Sequence, residues 1–283
     1  PLAIYSETVD KTFFVYGGTK SPESKYLLCM IGEYDHSSGL ISKPLVVCDK
    51  MGVDDPHDNP SILIDDQGYI WVFVSGRGRV RMGFKYKSKK PFSIDGFEKI
   101  TTQEMTYPQP KKMGSTFFNF FTKYTGVRQL YIEKSKNGIQ WSDNELLAAI
   151  PEQKNEKSGH YQISSQYQEK KIGTFFNRHP NGIVDRRTDL YYIESSDLGE
   201  TWNTADQQPI SIPVTEKNSP SRVEDYARLK KNIYLKDMVF DSNGRPICLY
   251  IRSNGHKPGP LSQPYEWCIT KWNGSKWTTH SIT

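Results

Sequence analysis

Four short polar clusters carry the side chains best suited to chemistry, and each opens an apolar, strand-like run. They are His57-Asp58-Asn59, Tyr107-Pro108-Gln109, His160-Tyr161-Gln162 and Lys236-Asp237. His, Tyr and Lys can hold or move a proton, and Asn, Gln and Asp can bind hydroxyl groups. If the runs are inner strands of a repeating β-fold, their openings fall on one face. His57, Asn59, Tyr107, Gln109, His160, Gln162, Lys236 and Asp237 would then line a shallow polar cleft suited to a sugar chain. The competing expectation is a wet channel mouth lined by satisfied polar groups. That suits any one of these residues, whereas their recurrence favours a site. His57 leads, because it sits in the loop Asp54-Asp55-Pro56-His57 and loops on a rigid scaffold carry function. His179, in Phe176-Asn177-Arg178-His179-Pro180, ends a strand and either shares that face or is structural. His256 sits in a loop that could touch a ligand, and His36 and His280 read as surface residues. No His-Glu-x-x-His motif or tight His/Cys cluster predicts a metal site, and no organic cofactor is called for.

The elements that must position these residues are read from recurring hairpins. Ser195-Ser196-Asp197-Leu198-Gly199-Glu200-Thr201-Trp202 fits Ser-x-Asp-x-Gly-x-Thr-Trp, and Ser135-Lys136-Asn137-Gly138-Ile139-Gln140-Trp141 is a degenerate copy. The Gly can take φ > 0, the Asp and Ser can bond turn backbone groups, and the Trp can pack the returning strand. The motif resembles the Asp-box of BNR-type β-propellers, a structural signature that leaves function open. The polar openings near 57, 107, 160 and 234 lie 50, 53 and 74 residues apart. The long last interval holds the polar stretch 215–231, read as a surface insertion. An earlier unit is read over Phe13–Tyr16, Tyr26–Glu33 and Leu40–Val47. The expectation is an all-β propeller of about five four-stranded antiparallel blades, in one domain spanning 1–283. Strand-like residues at both ends suggest an open arc of a larger, about seven-bladed ring, truncated at both ends.

Composition narrows the classes. The net charge is +5, and basic pairs such as Lys89-Lys90, Lys111-Lys112, Lys170-Lys171 and Lys230-Lys231 are scattered. That fits a solvated surface, or weak attraction to a polyanion. No long basic run predicts nucleic-acid binding. No apolar run approaches the roughly 18 residues of a membrane span, and no secretory signal is visible. Cys29, Cys48, Cys248 and Cys268 form no Cys-x-x-Cys pattern and read as buried free thiols, although Cys29–Cys48 and Cys248–Cys268 could bridge neighbouring strands.

The phrases His57-Asp58-Asn59-Pro60, Ser75-Gly76-Arg77-Gly78, Thr106-Tyr107-Pro108-Gln109 and Gly159-His160-Tyr161-Gln162 resemble the BNR-repeat propellers of polysaccharide-degrading bacteria, among them the ulvan lyases. The resemblance covers essentially the whole chain. It implies a secreted protein, extracellular or periplasmic, whose partner is an acidic, uronate-containing polysaccharide. The site of such lyases uses two histidines about twenty residues apart, then a tyrosine and an arginine about sixteen apart. Here His57 fits the first histidine and Arg77 stands at the second position. Tyr107 fits the tyrosine, and Lys123 stands at the arginine position. Charge is kept while identity changes at two of four places, and Arg and Lys are not interchangeable at a carboxylate clamp. The implied reaction is β-elimination. Arg77 and Lys123 would neutralise the uronate and the developing enolate, and His57 and Tyr107 would share the base and acid roles.

Three other classes stay open. A glycosidase needs two carboxylates across a cleft; Asp55, Asp58 and Asp237 are candidates, with no spacing that singles out a pair. Rhamnose-cleaving relatives on the same propeller make a hydrolase the runner-up. A sialidase would carry a Phe-Arg-Ile-Pro motif, which is absent. The last class is a non-catalytic glycan-binding propeller.

Overall fold

Alternating apolar residues form hairpins along most of the chain, and Asp-x-x-Gly turns close two of them, at residues 65–68 and 241–244. The computed structural model describes residues 2–124, 126–151, 158–257 and 259–283. Among the described residues the only helical segments are three short 3-10 turns. Five sheets follow one another along the chain. The first holds Ala3–Ser6, Lys11–Gly18, Leu28–Asp35 and Leu40–Ile41, with Leu45–Asp49 also pairing Leu28–Asp35. The second holds Pro60–Ile64, Ile70–Val74, Gly83–Ser88 and Phe97–Gln103. The third holds Thr106–Met113, Thr116–Tyr124, Arg128–Ser135 and Glu145–Ala148. The fourth holds Gln162–Tyr167, Lys171–Arg178, Thr188–Ser195, Trp202–Asn203 and Pro209–Ile210, plus Arg222–Glu224 against Thr188–Ser195. The fifth holds Asn232–Phe240, Pro246–Ser253, Glu266–Trp272 and Trp277–Ser281. Up-and-down sheets in sequence order make a propeller-like, all-β fold.

Two sheets depart from the expected four strands. The run expected over Leu40–Val47 is broken into Leu40–Ile41 and Leu45–Asp49. Pro44 lies in the break; it has no N–H to donate and restricts the residue before it. The stretch 215–231 is more than a surface insertion. Arg222–Glu224 pairs with the third strand of its sheet, and Tyr226 is buried with its hydroxyl on that of Tyr250.

The chain divides into two compact units. The first comprises residues 1–112, 121–123 and 137–141, and the second residues 113–120, 124–136 and 142–283. In the first, Phe13, Val15, Cys29, Ile31, Ile62, Ile70, Val72 and Val74 form the core. These are the inward positions of alternating strands, and burying such side chains contributes about 1.5–3 kcal/mol each. In the second, Phe118, Phe120, Ile132, Phe176, Tyr191, Ile193 and Trp202 form one core cluster.

The Asp-box works as its residue types predict. The Ser195 hydroxyl accepts from the Gly199 N–H at 2.9 Å, and Asp197 accepts from the Thr201 N–H at 2.9 Å and its hydroxyl at 2.6 Å. Gly199 has φ 78°, and Trp202 is buried 6.2 Å from Phe120 in an edge-to-face pair. In the degenerate copy Asn137 takes the Asp role, accepting from the Ile139 and Gln140 N–H groups. Asp197→Ala is expected to cost about 1–2 kcal/mol, read as a lower denaturation midpoint with an unchanged far-ultraviolet spectrum.

Candidate functional site

In the first unit the loop before Pro60–Ile64 folds as a 3-10 turn, Pro56–Asp58. Asp55 caps it by accepting from the His57 N–H at 3.0 Å, and Pro56 starts it with a fixed φ. The cap residue is also an electrostatic hub. Its Oδ1 lies 2.5 Å from His57 Nδ1, and its Oδ2 accepts from Arg77 Nη1 and Arg81 Nη2, both at 2.7 Å. Partial burial opposes ionisation of Asp55. The His57 N–H, the Arg81 guanidinium, the His57 ring and Arg77 outweigh it and hold the carboxyl well below the usual range. Asp55 is therefore a carboxylate that orients the imidazole through Nδ1.

A second acid supports the loop from below. Asp58 is fully buried. It accepts from Arg81 at 3.0 and 3.2 Å and pairs with Lys50 Nζ at 3.1 Å. Lys50 also donates to the carbonyls of Ser75 and Met82. Arg77 is the most exposed of these cations, at 42% of its side chain against 29% for Arg81 and 2% for Lys50.

Tyr107 belongs to the same cluster. Its ring centroid lies 6.0 Å from that of His57. Its φ is 52°, in the left-handed region that a bulky residue rarely adopts, and the Ser75 hydroxyl accepts from its N–H at 3.1 Å. Strain of this kind persists where the surroundings fix a side chain. Lys123, half-buried, follows Thr122, whose hydroxyl donates to the Thr106 carbonyl. That contact sets Lys123 on the strand beside the start of the Tyr107 strand. Asn59 is exposed, and Gln109 is half-buried on Thr106–Met113.

The second unit holds His160, Gln162, His179 and Lys236. His160 is fully buried. Its Nε2 accepts from the Ile150 N–H, and its Nδ1 faces the Asn177 carbonyl at 2.8 Å. Both ring nitrogens are spent on backbone, so its role is structural. Gln162 is buried and accepts from Thr174. Lys236 is exposed beside a register shift in its strand. His179 is 2% exposed, and its Nε2 is buried with no hydrogen-bond partner among the described residues. Its ring meets Tyr161 edge-on at 4.9 Å. The Arg128 and Arg187 guanidiniums pack on the Tyr161 ring at 4.3 and 4.5 Å, and also on Tyr124 and Tyr234 respectively.

Burial, with Arg178 adding charge, lowers the His160 pKa to about 4. Burial, then His160, Arg187 and Arg128, pushes His179 well below the ordinary value of 6.5. Unfolded histidines bind protons from about pH 6.5 downward, while these two stay neutral to lower pH. Their contribution to stability is complete above about pH 6.5 and is lost as the pH falls towards 4. His160 alone accounts for about 3 kcal/mol over that window. Thermal midpoints are expected to fall from pH 7 to 4, less steeply for His179→Gln.

Sequence reasoning missed Arg81, Lys50, Arg128 and Arg187. Arg81 had a signal, since the hairpin Arg77-Gly78-Arg79-Val80-Arg81 pairs Arg77 with Arg81. Lys50 carries no local pattern, because Asp58, Ser75 and Met82 reach it from other turns and strands, and the shared stacking of Arg128 and Arg187 on Tyr161 joins residues far apart in sequence.

The chain belongs to the BNR repeat-containing family, which it matches over residues 29–283. It is 22% identical to an ulvan lyase of family PL25 from Pseudoalteromonas sp. (strain PLSV), covering 98% of this chain and 62% of that protein. It is 21% identical to an ulvan lyase from Alteromonas sp. (strain LOR), with 98% and 63% covered. The chain thus spans less than two thirds of the length of these relatives. The structure superimposes on a PL25 ulvan lyase bound to -[GlcA(1-4)Rha3S]- with a TM-score of 0.83 at 19% identity, covering 99% of this chain and 70% of that one.

Proposed function

We propose that this chain acts on an acidic, uronate-containing polysaccharide by β-elimination, outside the cytoplasm and with its five sheets as successive propeller blades. The observation that carries the reading is the use of the acids around His57. Asp55 is committed to His57, Arg77 and Arg81, and buried Asp58 to Lys50 and Arg81. Both carboxylates are taken up by cations of the protein, whereas a glycosidase needs a carboxyl group available across the cleft to the glycosidic oxygen. What faces solvent is an imidazole, a phenol nearby and a guanidinium. The likeness to ulvan lyases supports the same reading.

In this reading Arg77 and Lys123 bind the uronate carboxylate and stabilise the enolate formed at C5. His57, oriented by Asp55, and Tyr107 divide the two proton transfers, one removing the C5 proton and the other protonating the oxygen leaving C4. Asn59 and Gln109 bind sugar hydroxyls. In the second unit, taken by itself, Gln162, His179 and Lys236 are assigned to binding sugar. The chemistry calls for no cofactor.

Incubation with ulvan tests the reading. Growth of ultraviolet absorbance from unsaturated uronate is expected. New reducing ends without that absorbance would establish a hydrolase, and binding with neither a glycan-binding module. Lys123→Met is expected to raise KM and lower kcat, by about tenfold or more in kcat/KM, because a cation leaves the carboxylate. An unchanged kcat/KM would remove Lys123 from the site.

A further inference from the structure

Cys29 and Cys48 face each other across two neighbouring strands. They are register partners in the antiparallel pair of Leu28–Asp35 with Leu45–Asp49, and both are buried. Partners in such a pair lie about 4.5–5.5 Å apart between Cα atoms, inside the roughly 4.4–6.8 Å that a disulfide spans. Cys248 and Cys268 differ. Cys248 stands opposite Thr270, and Cys268 opposite Tyr250, two residues out of register.

The surroundings make the first pair reactive. Cys29, then Tyr86 and Lys50, favour the Cys48 thiolate against the pull of burial, while the Cys29 thiol is pushed the other way and stays protonated. The thiolate is the attacking species in thiol–disulfide exchange. Access comes through Leu45–Asp49, which among the described strands pairs with Leu28–Asp35 alone, on the outer side of the sheet. Such strands open locally at low free-energy cost. The pair also touches the candidate site, since Cys29 Sγ lies 3.7 Å from the Asp58 carbonyl and Lys50 is two residues beyond Cys48.

We propose that Cys29 and Cys48 are a redox pair that closes into a cross-strand disulfide, pinning the loop that carries Asp55, His57 and Asp58, when a disulfide oxidant such as glutathione disulfide is present. The Cys48 thiolate attacks one sulfur of glutathione disulfide and expels one glutathione thiolate. Cys29 loses its proton and attacks the Cys48 sulfur of the mixed disulfide, and the second glutathione leaves. Two protein thiols are oxidised and one glutathione disulfide is reduced to two thiols. Bond closure fixes a loop of about 20 residues and so restricts the unfolded chain.

The test uses the whole chain, purified reduced, then incubated with glutathione disulfide, alkylated and mapped by peptide mass spectrometry. A Cys29–Cys48 cross-linked peptide is expected, with a thermal midpoint raised by roughly 5–10 °C. A Cys29→Ser variant should instead retain glutathione on Cys48 and lose the rise. Alkylation of both Cys29 and Cys48 after oxidation would overturn the proposal. So would a midpoint rise that persists in Cys29→Ser.

Discussion

Tyr107→Phe is expected to lower kcat on a uronate polysaccharide by about 10²–10⁴ while leaving substrate binding within a few-fold. Phe keeps the ring and its packing toward His57, so the positive-φ backbone and the Ser75 contact to the main-chain N–H are retained. Only the hydroxyl goes, and with it the one atom of that side chain that can move a proton. The measurement is the initial rate of unsaturated-uronate formation, with melts confirming the fold. A variant with the parent's kcat would take Tyr107 out of the chemistry and leave His57 as the sole proton carrier of the cluster. A loss in KM alone would make it a binding residue.

The contrast between Tyr107 and His160 shows what sequence can and cannot supply. Both open a strand after a polar cluster, and both were legible as candidates on that ground. The local pattern says that a side chain stands at a strand opening. It does not say which way the backbone turns it. The left-handed φ of Tyr107 sets its ring beside His57, whereas His160 is turned inward, where two backbone groups occupy both ring nitrogens. The Asp-box turn was legible as a turn held by its Ser and Asp because every partner lies within four residues. The hub on Asp55 was not, since Arg77 and Arg81 are 22 and 26 residues away in sequence. Long-range polar pairing leaves no periodic trace, which is why Asp55 and Asp58 read from sequence as loose candidates for acid catalysis.

Asp58 gives the largest expected effect on stability. It is fully buried between Lys50 and Arg81, and Asp58→Ala would leave the Lys50 ammonium, itself 2% exposed, without its carboxylate. Removing one partner of a buried ion pair costs about 3–5 kcal/mol, because the remaining charge stays desolvated. Lys50 keeps the Ser75 and Met82 carbonyls, which places the expectation at the lower end, about 3 kcal/mol. Asp58→Ala combined with Lys50→Met removes the stranded charge, and the pair of changes should cost less than the two single losses added together. Denaturation midpoints of the parent, both single variants and the double variant measure that coupling. Additive losses would show that Asp58 is held by Arg81 alone and that Lys50 owes its position to the two carbonyls. The cost would reach the site as well, since Arg81 bridges Asp58 to Asp55, and without that anchor the carboxylate orienting His57 has one guanidinium in place of two.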